Sequence, residues 1–324
     1  MEDSRFSTPV LFIIFNRPDK AQAVFDEIRK LKPQKLFVAA DGPRPSRPDD
    51  IVNCQRSKDI LKGIDWECEL KTFFRDSNVG CGLNVAESIS WFFSHVDKGI
   101  IMEDDIIPHP DFFPFCAQML ERYEKDERVS AISGFYSANI PCTEDSYFFR
   151  NGFSSWGWAT WKRVWDKFDF FLRDYSKQDL KDAFRRTHAG RIERLQKKDQ
   201  YLLTRTGKAD SWDWQFRLYL LKWNSLVIMP RLNAVKCIGY GDDSSHFKGR
   251  TAPEHSIHPI FPLRHPEKIE EVIFPYDPKR YVVAVRFPGM RRCVMLKMNF
   301  IWWIWRWFRR NFVARTLYPI PDQS

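Results

Sequence analysis

Apolar and polar positions alternate along the first hundred residues in a way that separates strands from helices. Continuous apolar runs, typical of strands buried on both faces, occur at 9–15, 35–40 and 99–102, and a further strand is expected near 69–74. Between them, apolar residues recur with helical spacing over 19–32, 51–61 and 83–96. This alternation predicts an α/β fold with a doubly wound, mainly parallel sheet.

The pattern is less regular after residue 108. It predicts helices at 110–125, 178–203 and 212–223, and strands at 129–133, 226–229 and 234–238. A tryptophan-rich segment lies at 156–171, and a glycine-rich polar loop follows at 239–251. We therefore expect one large domain over residues 1–277, with halves at 1–105 and 106–277, and a separate tail over 278–324.

Composition places the chain among globular proteins, because 44% of its 324 residues are apolar and 29% are charged. Its 13 tryptophans suit a surface that stacks on sugars, and they equally suit a large core. Its seven cysteines form no CxxC pair, so reduced thiols and a cytosolic compartment are expected. The polar segment 1–7 and the short apolar run after it do not match a signal sequence, so none is expected.

Positive charge is concentrated in the tail. Residues 278–321 contain ten Lys and Arg and no acid, whereas the whole chain has a net charge of +9, which leaves the remainder at −1. A protein that binds nucleic acid over its whole surface is therefore not indicated. The distribution favours a nearly neutral body with a basic appendage.

Three consecutive acids, Glu103, Asp104 and Asp105, follow the apolar run at 99–102. Ligands of open α/β sheets bind where the parallel strands end. Three ionised carboxylates at such a position repel one another and lose hydration, and a hard divalent cation such as Mg²⁺ or Mn²⁺ removes both costs. This acidic triplet therefore favours a metal site, and a solvated acidic turn is the alternative interpretation.

Polar residues also follow the other predicted strands of the first half. They are Asn16 and Arg17 after the first strand, Asp41 after the second, and Arg75, Asn78 and Gly80 after the third. Because the carboxyl ends of parallel strands meet at one edge, these residues should line one crevice. An arginine and a carboxylate there suit a nucleotide, since arginine meets negative charge and the carboxylate accepts hydrogen bonds. The loop after the third strand matches neither a P-loop nor a dinucleotide fingerprint, which argues against ATPases and dehydrogenases.

Taken together, the opening strand, the acid after the second strand, the Asn-x-Gly loop and the acidic triplet resemble, in their order, the glycosyltransferases of the GT-A fold. The form Glu-Asp-Asp looks closest to the N-acetylglucosaminyltransferase I branch and its bacterial relatives. The resemblance implies that residues 1–105 form a nucleotide-binding half and residues 106–277 an acceptor half. It also implies that Asp105 binds the metal directly, that Asp104 approaches the ribose or a metal-bound water, and that Glu103 lies at the donor.

The second half adds to the resemblance. Trp156, Gly157 and Trp158 look like the family's acceptor-side segment, where a Gly-Trp pair lies near the sugar. Asp213, between two tryptophans, resembles the family's catalytic base. The relatives often have two adjacent acids at this point, whereas this chain has Asp210 nearby, and a helix-capping role for Asp213 is the alternative.

The loop at 239–251 is placed where GT-A enzymes have a flexible loop that closes over the donor. The resemblance implies that His246 completes the metal shell or contacts the diphosphate. It further implies that Lys248 and Arg250 meet phosphate oxygens. An ordinary surface loop is the alternative interpretation.

The function implied by this resemblance is metal-dependent, inverting transfer of a hexosyl or N-acetylhexosaminyl group from a nucleotide-diphosphate sugar, a UDP-sugar above all, to a hydroxyl of a glycan or lipid-linked glycan. Mn²⁺ or Mg²⁺ would stabilise charge on the leaving diphosphate, and Asp213 would take the acceptor proton. A non-catalytic, membrane-associated glycan-binding or scaffold protein is one alternative. A nucleotidyltransferase is the other, although its usual glycine-rich basic loop is missing after Phe15.

Residues 290–312 combine four tryptophans with basic residues that fall mostly on one side at helical spacing. No apolar stretch in this range reaches the ~20 residues that a membrane-spanning helix needs. We expect an amphipathic helix on an anionic membrane surface, which places the protein in the cytoplasm at the inner face of a bacterial plasma membrane. A helix packed against the domain is the alternative, and no nucleic-acid partner is expected.

Overall fold

Twelve strands are present in the residues that the computed structural model describes, which are 6–136, 143–186, 191–208, 211–240, 256–272, 284–285 and 294–295. In chain order they are β1 (Val10–Ile14), β2 (Lys35–Ala40), β3 (Glu69–Phe74), β4 (Lys98–Glu103), β5 (Ile106–Pro108), β6 (Val129–Ser133), β7 (Tyr147–Arg150), β8 (Trp158–Trp161), β9 (Leu226–Pro230), β10 (Val235–Cys237), β11 (Ala284–Val285) and β12 (Val294–Met295).

Eight α-helices accompany these strands within the same described ranges. They are α1 (Pro18–Leu31), α2 (Asp49–Asp59), α3 (Cys81–Phe93), α4 (Phe112–Arg122), α5 (Lys162–Trp165), α6 (Lys177–Arg186), α7 (Arg191–Arg205) and α8 (Asp213–Lys222). A short 3₁₀ turn, Ile60–Gly63, extends α2.

The central sheet has the strand order β3-β2-β1-β4-β8-β6-β9-β7. The four neighbouring strands β3, β2, β1 and β4 all pair in parallel, which confirms the parallel sheet predicted for the first half. Beyond β4 the sheet is mixed, because β8 runs antiparallel between β4 and β6, and β7 runs antiparallel to β9.

Helix α1 shows how the sequence positions the site. Pro18 is its first residue, where the fixed backbone angle of proline suits a helix start. The buried residues of α1 recur with helical spacing (Ala21, Val24, Phe25 and Ile28) and pack against the sheet. Arg17 is therefore fixed between the end of a fully buried strand, β1, and the first turn of a packed helix.

Several elements differ from the predictions. The charged helix expected at 178–203 is described as α6 and α7, and residues 187–190 between them lie outside the described chain. Strands β5, β7 and β8 were not predicted. Their side chains are aromatic or lie in short runs, so neither strand nor helix periodicity is visible in so few residues.

Helices α6 to α8 enclose a second, smaller core beside the main one. Its buried residues are Leu172, Tyr175, Leu180, Ala183, Tyr201, Leu218 and Leu221. Because α8 also contributes Phe216 and Leu220 to the main core, it joins the two clusters. The first turn of this shared helix carries Asp213.

The amphipathic helix predicted over residues 290–312 is not what the described part of the tail contains. Val294 and Met295 form β12, which pairs antiparallel with Ala284 and Val285 of β11. Helix at those two positions was therefore a wrong prediction, and the other residues of 290–312 lie outside the described chain. None of the described helices is long and apolar enough to cross a membrane.

Candidate active site

The acidic triplet lies where the parallel strands end, as predicted. Strand β4 pairs with β1 so that Glu103 lies opposite Ile13, which brings the residues after β1 beside the triplet. The backbone N–H of Phe15 donates to Oδ2 of Asp104 over 3.1 Å. A residue from the first strand's end therefore binds directly to the middle acid of the triplet.

Arg17 joins two acids of the triplet with the two arms of its guanidinium group. One arm pairs with Asp104, and the other donates from Nη1 to Oδ2 of Asp105 over 2.9 Å. The Asp104 side chain is 4% exposed, whereas those of Asp105 and Arg17 are 15% and 18% exposed. Sequence reasoning predicted a nucleotide contact for Arg17, and the structure places its guanidinium on the carboxylates.

Burial and crowding make this edge electrostatically unusual. Burial raises the pKa of Asp104 to about 6, although Arg17 opposes the increase. The pKa of Glu103 is raised well above its ordinary value, first by burial and then by the negative charges of Asp105, Asp104 and Asp213. Asp213 therefore lies close enough to the triplet to act on it through space, although it is more than a hundred residues away in the chain.

Asp41 fastens the loop after β3 to the end of β2. Its carboxylate accepts hydrogen bonds from the backbone N–H groups of Gly42 at 2.9 Å and Val79 at 3.1 Å, and from Nδ2 of Asn78 at 2.8 Å. Burial is the main reason why the pKa of Asp41 is raised. Asp41 and Asn78 thus bind each other, and their predicted nucleotide contacts stay predictions. Gly80, with φ of 92°, adopts a left-handed conformation before α3 that glycine permits.

Asn16 is held by Asp50, which Arg44 binds in turn. Neither Asp50 nor Arg44 was identified from the sequence. Asp50, at the start of α2, accepts a hydrogen bond from Nδ2 of Asn16 at 2.6 Å and two from the side chain of Arg44, at 2.5 and 2.9 Å. The hydrogen bonds from Arg44 lower the pKa of Asp50 to about 2. The acidic pair at the start of α2 was the available signal, because acids favour a helix N-terminus.

The side chain of Arg75 binds residues of α3. Its guanidinium pairs with Glu87 and donates from Nε to Oδ1 of Asn84 over 3.2 Å, and it lies 4.8 Å from the ring centroid of Phe73. The charge of Arg75 also acts on Asp41, and the predicted role of Arg75 in nucleotide binding stays a prediction. A phosphate contact would require these interactions to break.

Asp213 is held from two sides at the first turn of α8. Ser211 donates a hydrogen bond from its Oγ to Oδ1, and Arg217 pairs with Oδ2 at 3.1 Å. Ser211 also accepts from the backbone N–H of Trp214 at 3.3 Å, so a serine provides the cap-like contact that was the alternative role for Asp213. Asp210 lies outside the described residues.

The first residue of the glycine-rich loop, Gly239, lies beside Asp105. Strand β10 pairs with β5, and the N–H of Ile238 donates to the backbone oxygen of Asp105 over 2.8 Å. A Cβ atom placed on Gly239 would clash with the Asp105 carboxylate, coming within 2.7 Å of its Cγ. A larger residue at this position would therefore have to displace the Asp105 carboxylate. His246, Lys248 and Arg250 lie outside the described residues, and their predicted roles stay predictions.

We expect Gly239→Ala to rotate the Asp105 carboxylate, because that side chain can yield whereas the backbone on both sides is fixed. Affinity for Mn²⁺ should fall ~10–100-fold, the usual effect of disturbing a ligand's support, and the melting temperature should change little. Gly152→Ala is the matched control, because its added Cβ would meet only the Arg150 side chain, at 3.5 Å. Unchanged Mn²⁺ affinity in the Gly239 variant, measured by calorimetry, would contradict this account.

The predicted acceptor segment divides into a core part and an accessible part. Trp158 is 0% exposed and stacks on Trp212 with ring centroids 5.3 Å apart, so its predicted acceptor contact was wrong. Gly157, with φ of 56°, packs against Val235 and the Phe112 ring. Trp156 is only partly buried, 4.3 Å from the ring of Phe135 and 6.4 Å from that of Tyr240, and its predicted role stays a prediction.

The carboxylates at this edge have the chemistry that Mg²⁺ and Mn²⁺ prefer. Within the described ranges, no three His, Cys, Asp or Glu side chains are grouped closely enough to complete a metal shell. Yet Arg17 bridges Asp104 and Asp105 here, the charge of Asp213 acts on the neighbouring Glu103, and an added Cβ at Gly239 would meet the Asp105 carboxylate. The partly exposed carboxylate of Asp105 suits a hard divalent cation that takes its other ligands from water and substrate phosphates.

A scan against protein-family models gives no match, and a search of curated proteins gives none. Among solved structures, the chain is similar to glucosyl-3-phosphoglycerate synthase from Mycobacterium tuberculosis in complex with Mn²⁺, UDP and phosphoglyceric acid. The identity is 16% and the TM-score 0.29, over 48% of this chain and 56% of that one. The match thus spans little more than half of that protein's length.

Two further structures extend the comparison. Apo mouse xyloside xylosyltransferase 1 matches at 11% identity and a TM-score of 0.35, over 67% of this chain and 82% of that one. Inositol-1-phosphate CTP transferase from T. maritima matches at 9% identity and a TM-score of 0.29, over 50% and 74%. These solved structures are glycosyltransferases and nucleotidyltransferases, at identities where the likeness concerns the α/β fold alone. The finer resemblance to the N-acetylglucosaminyltransferase I branch stays a prediction.

Proposed function

We propose that this chain is a metal-dependent, inverting glycosyltransferase that moves a hexosyl or N-acetylhexosaminyl group from a UDP-sugar to a hydroxyl of a glycan or lipid-linked glycan. One observation carries the proposal. The acidic triplet lies at the edge where β1, β2 and β4 end, Arg17 bridges two of its acids, and the charge of Asp213, from the second half, acts on Glu103. A carboxylate of the second half thus acts on the acidic cluster of the first half, where we propose that the cation binds.

The donor side follows from the parallel strand ends. When bound at Asp105, Mg²⁺ or Mn²⁺ would stabilise the negative charge that develops on the leaving diphosphate. Arg17, beside the same carboxylate, supplies a permanent positive charge for phosphate oxygens. The loop that Asp41 and Asn78 hold together presents its backbone at the same edge, where glycine at position 80 lets a ligand approach closely.

The acceptor side follows from α8. An acceptor hydroxyl has a high pKa, so its attack is faster when a carboxylate removes its proton in the transition state. Asp213 has a fixed orientation for this role, because Ser211 and Arg217 bind its two oxygens. One base opposite one leaving group is the arrangement that inversion requires. The partly buried ring of Trp156 offers an apolar surface for a sugar.

The products distinguish this function from its alternatives. We would incubate the protein with a panel of nucleotide sugars and Mn²⁺, with and without EDTA, and measure free nucleoside diphosphate. A glycosyltransferase releases nucleoside diphosphate, a nucleotidyltransferase given nucleoside triphosphate and sugar phosphate releases pyrophosphate, and a scaffold protein releases neither. Pyrophosphate release without diphosphate release would replace our proposal by the nucleotidyltransferase.

The basic tail supports a lipid-linked or membrane-borne acceptor, reached from the cytoplasmic face. Lys and Arg near an anionic leaflet contribute ~1 kcal/mol each, and tryptophans suit the headgroup region. We expect a chain that ends at Phe287 to lose sedimentation with anionic liposomes at low salt but to keep donor binding. A chain that ends at Thr316 is the matched control, because residues 317–324 contain no Lys or Arg. Full-length protein that fails to sediment would contradict this role for the tail.

A further inference from the structure

The two arms of the Arg17 guanidinium have different surroundings. The arm on Asp104 is deep, because that carboxylate is 4% exposed and also accepts the N–H of Phe15 at 3.1 Å. The arm on Asp105 is shallower, because Asp105 is 15% exposed and lies where the glycine-rich loop begins. The first pairing is the more protected of the two, and the second is accessible to a competitor.

Arg17 and a divalent cation would compete for the same oxygen. Arginine stays protonated in proteins, so its charge cannot be removed by losing a proton. The pairing uses Oδ2 of Asp105 at 2.9 Å, and the backbone of Gly239 lies beside the same carboxylate. A hard cation at about 2.0–2.2 Å from this oxygen would therefore repel a guanidinium beside it.

We propose that Arg17 is an exchangeable counter-cation, which neutralises Asp105 when no metal is bound and is released towards the donor diphosphate when a divalent cation binds. The pairing with Asp104 acts as the pivot, so only the outer arm changes partner. This inference rests on the proposed function and adds to it that metal binding and nucleotide binding are coupled. Metal and nucleotide bind weakly alone and strengthen each other, because the diphosphate gives the displaced arginine a new partner.

The experiment measures Mn²⁺ affinity in the absence of nucleotide, by electron paramagnetic resonance of the free ion. Arg17→Gln should bind Mn²⁺ at least ~tenfold more tightly than wild type, since it removes a unit positive charge a few ångströms from the ion. Arg29→Gln is the matched control, because Arg29 lies in α1, the helix that follows Arg17, and pairs with the exposed Asp65. Its Mn²⁺ affinity should stay within about twofold of wild type.

A second measurement, of the melting temperature, applies if Arg17→Gln folds poorly because it lacks the arginine charge. Mn²⁺ should raise the melting temperature of Arg17→Gln more than that of wild type, because a ligand that binds only the native state stabilises it. Arg17→Lys keeps one charge but cannot bridge two carboxylates, so its Mn²⁺ affinity should lie between the two. In the presence of Mn²⁺, UDP should bind more weakly to Arg17→Gln than to wild type.

The outcomes separate this inference from the proposed function. Equal or weaker Mn²⁺ binding by Arg17→Gln, with wild type still binding Mn²⁺ through Asp105, would overturn the exchange alone. Absence of Mn²⁺ binding in every protein, with or without UDP, would overturn the metal dependence as well. Adding Asp105→Ala to Arg17→Gln should remove the tighter site, and a site that persists there would also overturn the exchange.

Discussion

Asp105→Ala should abolish the metal-dependent part of nucleotide-sugar binding while leaving the fold intact. The Asp105 carboxylate is partly exposed, and the backbone oxygen of Asp105 that accepts from Ile238 is unaffected by the substitution. Arg17 keeps its pairing with Asp104, so no buried charge loses its last partner. Calorimetry with a UDP-sugar, with and without Mn²⁺, measures the difference, and the Mn²⁺-dependent gain in affinity should disappear.

Asp97→Ala is the control for this variant. Asp97 lies at the opposite end of the same strand, just before β4, and its side chain is exposed. Its backbone oxygen accepts the N–H of Lys162, a contact that alanine keeps. The control should retain full Mn²⁺ dependence. If Asp105→Ala also retains it, the metal is bound elsewhere and the assignment of Asp105 is wrong.

Most of the first half of the fold was predictable because β1, β2 and β4 are buried on both faces. Runs such as Val10–Ile14 are apolar at every position and end at polar residues, so both the strand and the functional edge are visible in the sequence. The second half lacks this contrast. Strand β8 is only four residues long and rich in tryptophan, and whether Trp158 faces a ligand or the core depends on what packs over it.

The partners of the site residues were less predictable than their location. The sequence places Arg17, Asp41 and the triplet at one edge, but which acid each group binds depends on strand register and helix position. Arg17 pairs with Asp104 because β1 and β4 are neighbours with Ile13 opposite Glu103. Asp41 binds Asn78 because β2 and β3, which these residues follow, are neighbouring parallel strands. Such contacts join residues 37 to 89 positions apart, beyond the reach of local pattern.

The approach of Asp213 to the triplet is the longest-range feature of the site. It depends on α8, which is held by the main core through Phe216 and Leu220 and by the smaller core through Leu218 and Leu221. Packing on both sides fixes the direction of the first turn, where Asp213 lies. A rigid helix start of this kind is a suitable support for a base, because proton transfer requires hydrogen-bond distance to the acceptor.

Asp213→Asn should keep donor affinity and lower kcat by at least ~10²-fold, the low end of the roughly 10²–10⁴ range for general-base catalysis. The amide has the same shape but does not take a proton, and Ser211 and Arg217 remain on either side of it. Asp166→Asn is the control: its side chain is 53% exposed and pairs with Lys162, and it should change kcat less than about twofold. Steady-state kinetics with a fixed acceptor, together with donor affinity by calorimetry, separate a catalytic effect from a binding effect. If Asp213→Asn retains kcat and Asp210→Asn loses it, the base is Asp210 and Asp213 only orients the first turn of α8.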